Sequence, residues 1–168
     1  MATDGVIITH PNRDSSAAKT TRIIVILLLI VSAVLMAVVM IGGWKVLEGM
    51  KPVTIAYILI YLLFAFYVGR WNRGVLPVVA ALAIILAIFA GVAAPEWFSR
   101  DKAGFIEPTL SNTTLGMLTA IIIPVQILLI GFAMSGFRQA WNVEVERYPE
   151  GEEPEPLPPP RGSTPLPA

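Results

Sequence analysis

The sequence predicts an all-α integral membrane protein: four transmembrane helices followed by a proline-rich C-terminal tail that is disordered or partner-bound. Three observations predict it. The 168 residues are 55% hydrophobic and only 14% charged, against about 25% charged in an average soluble domain. The charges fall in short clusters with long uncharged gaps between them, as a bilayer core requires. The gaps are about 20 residues long, the length of helix that crosses a hydrocarbon core, and a helix satisfies its own backbone groups there.

Residues 1–22 read as a polar N-terminal arm, with Pro11, Asn12, Asp14, Ser15 and Ser16 favouring turn or coil. The first span runs over about residues 23–41, with no charge between Arg22 and Lys45. Gly42, Gly43 and Trp44 follow it instead of a small-residue cleavage site, so it reads as a retained anchor and not as a signal peptide. A short hinge with Trp44, Lys45 and Glu48 leads to the second span, about 52–68. Pro52 suits a first helical position there, and Tyr57, Tyr61 and Phe64 share one face.

Arg70, Trp71 and Arg73 form the next turn, a set of interface residues able to anchor the chain or to hold an anionic lipid head group. The third span, about 75–94, repeats a small residue every fourth position at Ala83, Ala87 and Gly91. Such a stripe lets helix backbones approach closely. Residues 95–114 form the longest connection, in which Glu96, Arg100, Asp101, Lys102 and Glu107 read as a solvated, self-paired loop. Asn112-Thr113-Thr114 fits a glycosylation pattern and reads as a polar lead-in that caps the fourth span.

The fourth span covers about 115–137. Pro124 near its middle predicts a kink, and Gln126 two residues on is the most polar side chain in any span centre. Residues 138–168 form an acidic, proline-rich tail with 8 prolines in its last 20 residues, a composition that builds no core. Val143 to Glu146 alternates like a short strand.

Four spans place both termini on one face. That face carries Arg13, Lys19, Arg22, Arg70, Arg73, Arg138 and Arg147, against Lys45, Lys51, Arg100 and Lys102 on the other. The bias predicts cytoplasmic termini, in a bacterial inner membrane.

The chemistry absent from the spans narrows the function. His10, in the arm, is the only histidine, and cysteine is absent. Haem ligation by intramembrane histidine, a zinc-protease motif and thiolate chemistry are therefore excluded. No Asp, Glu, Lys or Arg falls within a predicted span, which disfavours proton-coupled transport. No phosphate-binding loop is present, zero net charge gives no hint of nucleic acid, and no cofactor is implied.

The expectation is a non-catalytic accessory subunit of a larger membrane complex, contacting other membrane protein subunits and lipids through its helices and tails. Respiratory-chain and other electron-transport complexes carry small helical subunits of this architecture. The alternative is a small oligomeric transporter or channel lined by Gln126, Ser135 and Thr119.

Overall fold

A computed structural model of the chain describes residues 7–100, 102 and 104–147. It contains four helices long and apolar enough to cross a membrane, so the chain is a multi-pass membrane protein. They are α2 (Ser16–Gly42), α3 (Lys51–Gly69), α4 (Leu76–Ser99) and α5 (Asn112–Arg138), preceded by a single helical turn, α1 (Pro11–Asp14). A 3₁₀ turn at Arg73–Val75 joins α3 to α4. Strands β1 (Ile7–Thr9) and β2 (Val145–Arg147) form a two-stranded antiparallel ladder pairing Ile8 with Glu146, in a unit separate from residues 10–143.

Each helix outruns its predicted span. Twenty-seven residues make α2 and α5 about 40 Å long at 1.5 Å per residue, beyond a hydrocarbon core of about 30 Å. The extra turns are polar, so they lengthen the helix without lengthening the apolar run. Within the described part of the arm, the segment expected as turn or coil is therefore largely helix: α2 begins at Ser16, capped by the Ser15 hydroxyl, which accepts from the Ala18 amide at 3.2 Å. Its first turns carry Lys19 and Arg22.

The third span likewise continues through Pro95 to Ser99. The connection that follows is tied back by the Thr109 and Leu110 amides, which both donate to the Gly42 carbonyl. Here α2 passes closely: a Cβ on Gly42 would meet the Leu110 side chain at 2.6 Å. The cap of α5 is Ser111, one residue before the expected lead-in. Asn112 sits inside the helix and donates from Nδ2 to the Arg100 carbonyl at 3.3 Å.

The first part of the expected tail is also ordered. Residues 139–142 fold back onto the bundle and bury Trp141 completely. The proline-rich segment beyond residue 147 lies outside the described residues.

The helices alternate in direction. One end of the bundle, the terminal face, carries the start of α2, the α3–α4 turn and the end of α5. The distal face carries the hinge at 43–50 and the described part of the connection, residues 104–111. Packing runs in the order α3, α2, α5, α4, and the most extensive pair is α4 with α5. Small residues allow it: Ala80, Ala83, Ala90 and Ala94 are buried on α4, and Gly116, Ala133 and Gly136 on α5.

By contrast, α3 and α4 hardly touch. The short turn holds them together at the terminal face, and they diverge toward the distal face. Large apolar side chains such as Leu59, Phe66, Ile88 and Ile127 point outward around the bundle. In a bilayer these meet acyl chains, which are as apolar as leucine.

Candidate functional site

Three regions of the bundle hold its polar and open features. The first lies midway along the helices. Gln126 on α5 is completely buried and spans between two other helices. Its Oε1 accepts from the Tyr61 hydroxyl of α3 at 2.9 Å, and its Nε2 donates to Ser32 Oγ of α2 at 2.8 Å. Ser32 Oγ donates in turn to the Leu28 carbonyl at 2.7 Å. The chain of bonds thus ends on backbone, and α2, α3 and α5 are clamped through one amide.

Pro124 lies inside α5 just before the amide, where it withholds an N–H from the Ala120 carbonyl. Thr119, buried about two turns from Gln126 on the same helix, donates to the Leu115 carbonyl at 2.7 Å. Ser135 faces outward. Of these expected pore residues, Gln126 and Thr119 thus have their polar atoms hydrogen-bonded inside the bundle.

The second region is the lateral cleft that the divergence of α3 and α4 leaves open, about 640 Å³ in volume. Met36 of α2, Val53 and Tyr57 of α3, Leu86 and Ala93 of α4 and Ile122 of α5 are among its walls. It reaches from the distal face to the layer of Tyr57, one turn above Tyr61, the two rings being 6.0 Å apart. Glu96 and Arg100 stand at its mouth with the buried Trp97. They are one helical turn apart, the spacing at which opposite charges usually meet. Yet neither forms an ion pair among the described residues. The Arg100 guanidinium lies 5.7 Å over the Phe105 ring instead.

The third region is a belt of arginine and tryptophan on the terminal face. The end of α3 is closed by paired backbone bonds, from the Trp71 amide to Val68 and from the Asn72 amide to Tyr67. This pattern needs a left-handed residue, usually glycine, at the position of Trp71; Trp71 adopts φ 62°. Its ring packs edge-on against Trp141 at 5.4 Å, with the Arg22 guanidinium 4.4 Å from its centre.

Arg22 also donates from Nη2 to the Gly69 carbonyl at the end of α3. Arg73 donates to the Phe137 carbonyl at 2.6 Å and to Asn142 Oδ1 at 2.9 Å, and Arg13 donates to the Trp141 carbonyl at 2.9 Å. Helix C-termini expose unpaired carbonyls and the negative end of the helix dipole, so Arg22 and Arg73 are caps, while Arg13 ties down the turn beyond α5. Gln139 completes the belt, donating to Thr21 Oγ1 and accepting from the Trp141 indole, both at 2.9 Å.

The structure therefore divides the candidate residues. Of the Tyr57, Tyr61 and Phe64 face, Tyr61 enters the buried clamp, Tyr57 lines the cleft and Phe64 is half-buried against the core. Of the Arg70, Trp71 and Arg73 set, Trp71 and Arg73 turn inward as structural groups. Arg70 alone remains exposed, over the Phe66 ring at 5.7 Å.

Of the small-residue stripe, Ala83 is buried in the bundle, Ala87 is half-buried, and Gly91 is exposed with open space beyond its α-carbon. Sequence reasoning missed Ser32 as a bonding partner, and Trp141, Arg22 and Gln139 in the belt. An indole and an amide within a stretch otherwise suited to coil were the available signal for the last group.

No protein-family model, curated protein or solved structure matches this chain.

Proposed function

We propose that this chain is a non-catalytic subunit of a larger membrane assembly, joined to its partners through the outward part of α4. The observation that carries this reading is Gly91. It ends a small-residue stripe that begins inside the bundle at Ala83 and emerges on the membrane-facing surface. A Cβ there would touch nothing.

Pro95, four residues on and inside the same helix, has no N–H to give to the Gly91 carbonyl. In hydrocarbon a backbone acceptor without its helical donor is costly, and neighbouring helices commonly satisfy it. A partner helix could pack closely on the stripe and supply that donor.

The buried clamp agrees with a structural role, because its polar groups are spent on holding three helices together. Energy-converting assemblies of the respiratory type are the class of host to examine first. We also place both termini in the cytoplasm, following the arginine bias of the terminal face.

The test is purification from native membranes in mild detergent. The chain should emerge in a stoichiometric complex with other membrane proteins. Gly91→Leu combined with Ala87→Leu should release it while leaving its own unfolding midpoint in place. Recovery of the wild-type chain as a lone monomer or homo-oligomer would overturn the proposal.

A further inference from the structure

We infer that the cleft between α3 and α4 is a binding site for a zwitterionic glycerophospholipid, with an acyl chain in its depth and the head group across Glu96 and Arg100. This site is on a different side of α4 from Gly91, so it stands or falls independently of the subunit reading.

Length and lining bear on the apolar occupant. From Arg100 at the mouth to Leu86 is fourteen residues of helix, about 21 Å at 1.5 Å each. The walls along that length include Met36, Val53, Leu86, Ala93 and Ile122 and are almost all apolar, so a flexible acyl chain can lie along them. Its depth exceeds the half-thickness of a hydrocarbon core, about 15 Å, so a chain whose head group lies at the interface can fill it.

Charge decides the head group. Glu96 and Arg100 both line the cleft at its mouth and leave each other unpaired at a spacing that favours pairing. A phosphate beside the Arg100 guanidinium and an ammonium beside the Glu96 carboxylate would match both. An anionic head group would satisfy Arg100 and set a like charge against Glu96. Trp97, buried between them in sequence and packed toward Gly43, forms a fixed wall at the depth where indoles meet the head-group boundary.

The test uses the full chain in nanodiscs of phosphatidylethanolamine or phosphatidylglycerol, followed by native mass spectrometry of retained lipid. The expected result is one retained phosphatidylethanolamine, with phosphatidylglycerol retained about tenfold less. Glu96→Gln and Arg100→Gln should each lower retention about tenfold, the effect of losing one charge-assisted contact. Ala93→Trp, which fills the cleft, should abolish it, and Ile127→Trp on the open membrane face should leave it unchanged.

A photocrosslinker at position 93, used in native membranes, should join phospholipid. Equal retention of both lipids, or no response to any of the three cleft variants, overturns the inference. So does a crosslink from position 93 to a protein, which would make the cleft a protein-docking surface.

Discussion

The clamp at Gln126 makes the sharpest energetic prediction. Tyr61→Phe removes one hydroxyl from the buried Tyr61–Gln126–Ser32 chain and keeps the ring. Gln126→Leu keeps nearly the same volume and removes both bonds, stranding the Tyr61 hydroxyl, while Ser32 retains the Leu28 carbonyl. A buried polar group left unsatisfied costs about 1–3 kcal/mol in water-soluble proteins. In membranes, interhelical pairs average about 0.6 kcal/mol and reach about 1.7, because an opened chain in lipid finds other partners.

The expected losses are therefore about 1 kcal/mol for Tyr61→Phe and about 1–2 kcal/mol for Gln126→Leu. The double variant should lose less than the sum, with a coupling of about 0.6–1.7 kcal/mol. The assay is reversible unfolding in mixed micelles titrated with sodium dodecyl sulfate, followed by circular dichroism. Additivity within about 0.3 kcal/mol would mean that the hydroxyl and the amide do not interact, and the clamp would be refuted.

Four further outcomes can be measured in the same way or in cells. Ala140, at φ 49°, should accept glycine with a gain of about 0.5–1 kcal/mol. Trp71→Gly should instead destabilise: the backbone relief of about 1 kcal/mol is outweighed by the lost edge-on indole pair, about 0.5–1.5 kcal/mol, the Arg22 contact of about 0.5–2 kcal/mol and the buried area. Arg73→Gln should lower stability by about 1–2 kcal/mol through its bonds to Phe137 and Asn142, whereas Arg70→Gln should stay within about 0.5 kcal/mol; equal effects would contradict the division of that cluster. Because the chain has no cysteine, single substitutions report orientation cleanly: an impermeant maleimide should label Glu48→Cys in intact cells and Arg138→Cys only after lysis.

Membrane crossings were legible because their cause is one-dimensional. A charge in hydrocarbon is costly wherever the helix turns, so Arg22, Lys45, Lys51 and Arg70 bracket the spans without reference to any neighbour. The facing of each helix was not legible in the same way. These helices are apolar all round, and periodicity then carries little information about which side meets protein. The stripe Ala83, Ala87, Gly91 was a sound reading of spacing, yet the face that packs on α5 runs through Ala83, Ala90 and Ala94.

Gln126 stood out because an amide in a span centre demands a partner, but the partners, 65 and 94 residues away, depend on which helices become neighbours. The belt was hidden for a different reason. Arginines beside a membrane are expected to face water or lipid head groups, and here Arg13, Arg22 and Arg73 are taken up by carbonyls at helix ends and in the turn beyond α5.

The clamp also orders events during synthesis. Ser32 and Tyr61 leave the ribosome long before Gln126, so α2 and α3 enter the bilayer with the tyrosine hydroxyl still seeking an acceptor. Thr21, Arg13 and Trp71 likewise wait for Gln139 and Trp141 at the far end of α5. A nascent chain stopped anywhere before its fourth crossing is therefore chemically incomplete at mid-membrane and at the terminal face together. The last helix acts as the keystone, because its arrival completes both the mid-membrane clamp and the terminal belt in one step.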